Sequence, residues 1–138
     1  MSKTNVVFKP YQFNPQLLLP PSLDELIDKN HPVRVVQKII SEIKIDCLID
    51  QYKGGGTSSY HPRMLLSAIV FAYLSNTYSS RKIEAALKEN IQYMWLTGMS
   101  TPDHNTINRF RSSKLKNEIK EIFAQVVTLL VKEELVSI

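Results

Sequence analysis

The 138-residue chain is 43% apolar and 22% charged, an ordinary balance for one folded domain able to bury roughly two thirds of its unfolded surface. Its single cysteine, Cys47, excludes an internal disulfide or a cysteine-based zinc site and points to a reducing compartment. With no apolar signal-peptide core behind Met1-Ser2-Lys3-Thr4-Asn5 and no apolar run long enough to span a bilayer, a cytoplasmic protein without membrane contact is expected.

The net charge is +4, and all of the excess lies in residues 78–116. There seven bases (Arg81, Lys82, Lys88, Arg109, Arg111, Lys114, Lys116) face three acids (Glu84, Glu89, Asp103). Elsewhere ten bases face ten acids. A localised basic face is the electrostatic footprint of a nucleic-acid binder.

In chain order, residues 1–21 carry Pro10, Pro15, Pro20 and Pro21, and their apolar side chains (Phe8, Tyr11, Phe13, Leu17, Leu18, Leu19) fit neither the helix nor the strand period. Proline fixes φ and removes donors, so an extended arm laid over the helical body is expected, with a disordered leader as the alternative. Support helices follow over residues 22–76. Ser22-Leu23-Asp24-Glu25 is a capping box, with Ser22 as N-cap and Glu25 at N3, and predicts a short helix to Lys29. His31-Pro32 starts the next helix with Pro32 in its first position, and Val33, Val36, Ile40 and Ile43 share one face. Residues 45–52 suggest another short helix.

The glycine-rich stretch Lys53-Gly54-Gly55-Gly56-Thr57-Ser58-Ser59 lacks the Gly-Lys-Ser/Thr ending of a P-loop, so a connector is favoured over a nucleotide site. His61-Pro62-Arg63 opens a helix to about Asn76. Its apolar residues (Met64, Leu65, Leu66, Ile69, Val70, Phe71, Tyr73, Leu74) cover nearly the whole circumference, which marks a buried central helix.

Residues 78–116 read as a helix-turn-helix-like unit. Ser79 or Ser80 caps a helix whose apolar side is Ile83, Ala86 and Leu87. A second helix over residues 90–97 ends at Gly98, which supplies a left-handed stop. Thr101 or Asp103 caps a third, basic helix with Pro102 in its first turn. At about 100° per residue, Ile107, Phe110 and Leu115 fall on one side. Asn105, Asn108, Arg109, Ser112 and Lys116 fall on the other, with side chains suited to guanine and adenine edges or to phosphate. Arg111 lies nearer the apolar side, where a structural ion pair with Glu84 is favoured over a nucleic-acid contact.

Residues 114–136 read as one long C-terminal helix. Leu115, Ile119, Ile122, Val126 and Leu129 make a seam of about two heptads, too short for a coiled-coil assignment. Packing on its own bundle is favoured over a dimer seam or a stalk. The fold class expected is therefore all-α: a multi-helix bundle with a helix-turn-helix-like unit, an extended N-terminal arm and a long C-terminal helix.

Motifs for catalysis are absent. His31, His61 and His104 have no metal-ligand spacing, and the two His-Pro pairs suit capping at helix starts. No converging carboxylates occur at a motif, and no G-x-S-x-G elbow exists. No catalytic residue, metal site or cofactor is assigned to this chain.

Six segments in order resemble the N-terminal helical region of bacterial insertion-sequence transposases of the DDE type. They are Leu19-Pro20-Pro21 with Leu23; His31-Pro32-Val33-Arg34-Val35-Val36; Ser59-Tyr60-His61-Pro62-Arg63-Met64-Leu65-Leu66; Tyr78-Ser79-Ser80-Arg81-Lys82-Ile83-Glu84; Met94-Trp95-Leu96 with Gly98; and Pro102-Asp103-His104-Asn105-Thr106-Ile107-Asn108-Arg109-Phe110-Arg111. The resemblance implies recognition of an element's terminal inverted repeats in double-stranded DNA, by a region that is not catalytic on its own. Arg81, Lys88, Lys114 and Lys116 would then contact phosphate. In such proteins an RNase H-like domain with three metal-binding acids follows, and magnesium belongs to that domain. No acid of this chain matches the triad. An assembly module that pairs protomers, forming a homodimer with DNA contact elsewhere, is the alternative; RNA binding is a distant third, because stacking aromatics are not arrayed on the basic stretch.

Overall fold

The computed structural model describes residues 6–18, 21–52 and 60–132. Among these residues all regular structure is helical: α1 (Leu23–Leu26), α2 (Pro32–Glu42), α3 (Asp46–Ile49), α4 (Pro62–Leu74), α5 (Ser80–Glu89), α6 (Ile91–Leu96), α7 (His104–Arg109), a π-helical turn (Phe110–Leu115) and α8 (Ile119–Lys132).

Helix starts follow local chemistry. At α1 the Ser22 hydroxyl accepts the Glu25 N–H while the Glu25 carboxylate accepts the Ser22 N–H, so the capping box forms, although the helix ends at Leu26 rather than Lys29. Both His-Pro pairs act alike. Nδ1 of His31 accepts from the Val33 N–H and Nδ1 of His61 from the Arg63 N–H, each at 3.0 Å, with the proline at the first helical position.

Helix α4 is the centre of the bundle. Leu65, Leu66, Ala68, Ile69, Val70, Phe71 and Ala72 are all buried, and α2, α5 and α6 pack around it. From α2 come Val33, Val36, Ile39 and Ile40, while α8 contributes Ile122, Val126 and Leu130. Each such side chain contributes about 1.5–3 kcal/mol by leaving water. Two arginines finish the helix ends beneath this core. Arg63 donates to the Ile40 and Ile43 carbonyls at the C-terminus of α2. Arg34 donates to Asp24 Oδ1 at 2.7 Å and to the Asp24, Ile27 and Asp28 carbonyls, with its guanidinium 5.1 Å from the Trp95 ring centroid. That contact with Arg34 lowers the Asp24 carboxyl below the usual aspartate range, first by hydrogen bonding and then by charge.

Two expectations fail. Residues 6–18 form neither helix nor strand, yet Phe8, Tyr11, Phe13 and Leu18 are 82%, 92%, 89% and 101% exposed. These side chains are not packed on the body, and the chain bends at Asn14, whose φ is 54°. At the other end, the expected continuous helix from residue 114 is interrupted by the π turn and by residues 116–118. Its seam shifts accordingly. Leu115, Ile122, Val126 and Leu130 are buried, whereas Ile119 is 36% exposed and Leu129 only half-buried. The glycine-rich stretch 53–59, together with Leu19, Pro20 and residues 133–138, lies outside the described residues.

Candidate nucleic-acid interface

Helices α5, α6 and α7 carry the basic stretch. Asn90 ends α5 and caps α6, its Oδ1 accepting the Gln92 and Tyr93 N–H groups. After α6 the chain turns through Gly98 at φ 61° and Met99 at φ 63°, both left-handed. Asp103 then caps α7, accepting the Thr106 N–H at 2.8 Å. Pro102 is buried one residue ahead of this cap, not within the first turn as expected. The segment joining α6 to α7 spans residues 97–103 and is longer than the tight turn of a helix-turn-helix; α7 packs chiefly on α5.

The contact that fixes α7 is Glu84. Its Oε1 accepts the His104 backbone N–H at 2.8 Å and lies 3.2 Å from His104 Nδ1. Satisfying an orphan N–H at the helix start holds the Glu84 carboxyl below its usual range, the His104 backbone bond being the largest cause. The Lys88 charge, one turn further along α5, acts in the same direction. Asp103 is lowered as well, first by its bond from Thr106 and with a smaller contribution from Arg109.

The expected Arg111–Glu84 ion pair does not form, because Glu84 is committed to His104. Arg111 is nevertheless structural. One Nη donates to the Tyr78 carbonyl at 2.7 Å and to the Tyr73 hydroxyl at 3.2 Å; the other donates to Ser80 Oγ and to Asn108 Oδ1. Ser80 Oγ also donates to Asn108 Oδ1. The guanidinium thereby ties α4, α5, α7 and the π turn together.

The π turn carries a buried side chain at each end. Phe110 and Leu115 are 3% and 0% exposed. In an α-helix, residues five apart lie about 140° apart on the wheel, at the two edges of a broad apolar face. A π turn closes with a five-residue hydrogen-bond spacing and brings them to one side. Wheel angles beyond Phe110 therefore do not carry over.

Of the residues read as DNA-contacting, Arg81, Lys88, Asn105, Arg109 and Lys116 are exposed. Asn108 and Ser112 are exposed too, but Asn108 Oδ1 is occupied by Ser80 and Arg111, and Ser112 Oγ donates to the Asn108 carbonyl at 2.8 Å. Asn108 thus keeps its amide donors outward and cannot offer the donor–acceptor pair that adenine recognition needs. Lys114 requires a correction. It is half-buried, its Nζ donates to the Gln51 carbonyl at 3.0 Å and stands 4.7 Å from the Tyr52 ring centroid, so it ties the π turn to the segment after α3. The wheel missed this because Gln51 is distant in sequence. Lys82 is also exposed and lines a cleft of about 550 Å³ with Phe71, Tyr93 and Gln92.

One trio elsewhere gathers metal-type donors: Cys47 of α3 with Glu118 and Glu121, within 4.8 Å of one another. Burial pushes the Cys47 thiol up, and the Glu118 charge and hydrogen bond add to this. A protonated thiol donating to a carboxylate accounts for the contact; a ligand would be a thiolate.

These features define a small helical domain with an exposed basic surface on α5, α7 and the turn after it. Residues 21–113 match the family described as "Transposase domain (DUF772)", and the chain belongs to this family. No curated protein and no solved structure is significantly similar to the chain. Among the described residues, no helix is long and apolar enough to cross a membrane.

Proposed function

We propose that this domain binds the terminal inverted repeats of an insertion sequence as a non-catalytic, DNA-recognising region of its transposase. The observation that carries this reading is the set of exposed cations on two helices locked to each other: Arg81 and Lys88 on α5, Arg109 on α7, and Lys116 just beyond, held by the Glu84–His104 contact. Family membership adds the transposase context. In this reading α7 enters the major groove, Asn105 and Arg109 reach base edges, and Arg81, Lys88 and Lys116 contact phosphate. Magnesium-dependent strand chemistry belongs to an RNase H-like domain with its own acids, to which this chain contributes none.

The test is a salt-titrated gel shift with an element's terminal repeat against a scrambled duplex. Three or four phosphate contacts predict roughly a 40- to 150-fold loss of affinity between ~50 and ~200 mM salt. Equal or salt-insensitive binding to both duplexes contradicts the proposal.

A second reading, assembly of protomers, is favoured by one observation, the exposed aromatic arm of Phe8, Tyr11 and Phe13. The C-terminal seam is a poor candidate for that role, since Ile122 and Val126 are spent on the domain's own core.

A further inference from the structure

We infer that a cleft beside the π turn seats one unpaired nucleobase of the bound DNA; this rests on the DNA-binding reading above. The cleft measures about 540 Å³, within the range of small-ligand sites. Tyr73 and Ile119 supply its apolar surface, with the fully buried Leu115 behind them, and Asn108, Ser112 and Lys116 supply its polar groups. Arg111 also lines it, but both of its Nη groups are engaged by Tyr73, Tyr78, Ser80 and Asn108, so it serves chiefly to stiffen the wall.

Three features select a base as the occupant. The first is the aromatic wall. Half-buried Tyr73 lines the cleft, its ring braced by Tyr78 at 5.2 Å and by Phe123 at 6.0 Å between centroids. Every base offers a π-face to such a wall. The second is charge. Lys116 is exposed and makes no ion pair among the described residues, and it stands at the cleft where a flanking phosphate would lie. The outward amide of Asn108 adds a donor for a base carbonyl. The third is position, because the cleft adjoins α7 through Asn108 and includes Lys116, one of the proposed phosphate contacts. A paired base is buried in its stack and cannot enter a concave site, so the occupant is one already unpaired or extruded.

The experiment measures binding of the full chain by fluorescence anisotropy to a labelled duplex and to the same duplex carrying one unpaired thymidine. The bulged duplex is expected to bind roughly tenfold tighter, since the cost of unstacking and unpairing is already met. Filling the cleft with Ile119→Trp should abolish this preference. Val127→Trp, at an exposed position of α8 that does not line the cleft, should keep it. Binding to neither duplex overturns the DNA reading itself. Equal binding of both by the wild-type chain overturns the cleft alone, even if Ile119→Trp does not fold. A preference that survives in folded Ile119→Trp also overturns the cleft, because DNA bending at the bulge would then explain it.

Discussion

Glu84 on α5 accepts the backbone N–H of His104 at 2.8 Å, twenty residues further along the chain. A side chain of one helix thus caps the next but one, and the proposed reading helix is positioned by α5 rather than by the turn that precedes it. The six-residue α7 is too short to be stable alone. Its orientation depends on Glu84, on the Asp103 cap and on the Arg111 network.

The first prediction concerns that contact and its pH dependence. The Glu84 carboxyl is lowered in the folded chain, so its contribution is fully present above the ordinary glutamate range and is lost as pH falls through the lowered value. Glu84→Gln should lower Tm by roughly a few degrees at pH 7. The gap to wild type should close as the pH is taken below the ordinary glutamate range and through the lowered value. A gap that stays constant over this range in thermal melts followed by circular dichroism contradicts the assignment.

Arg111 should behave as a structural residue. Arg111→Glu removes four hydrogen bonds and places a carboxylate against the Tyr78 carbonyl and Asn108 Oδ1. A loss of about 2–4 kcal/mol is expected, read as a Tm drop of order 10 °C. Arg111→Lys should recover only part of this, because an ammonium lacks the planar fork. Full recovery by lysine would show that charge alone matters.

Lysines 114 and 116 should separate in a salt series. Lys116→Ala is expected to reduce the slope of log K against log salt by about one, and Lys88→Ala likewise. Lys114→Ala should leave the slope unchanged and lower Tm instead, since its ammonium is held by Gln51 and Tyr52. Equal slopes for all three variants would remove the distinction.

The core makes a plainer prediction. Leu66 is fully buried in α4, so Leu66→Ala should cost about 2–5 kcal/mol in urea denaturation. A cost below 1 kcal/mol would mean that α4 is not the centre of the bundle.

The parts of this structure legible in sequence are those decided within a few residues. Ser22 and Glu25 cap α1, each His-Pro pair opens a helix, Gly98 stops α6, and the apolar circumference of residues 62–74 marks a central helix. What a wheel could not show depends on distant partners. Lys114 finds Gln51, and Glu84 finds His104 rather than Arg111. The π turn between Phe110 and Leu115, both buried, resets the register of everything after it. The arm shows the converse. Its aromatics suggest burial, but Phe8, Tyr11 and Phe13 are exposed.

The most direct test of the central claim is the affinity of Arg109→Glu for a terminal-repeat duplex, measured beside its Tm. Arg109 is exposed in the last turn of α7 and forms no ion pair among the described residues. Binding should be lost while Tm stays within about 1 °C of wild type, as for surface substitutions generally. Wild-type affinity in a folded Arg109→Glu variant would contradict the account, since α7 would then not face the DNA.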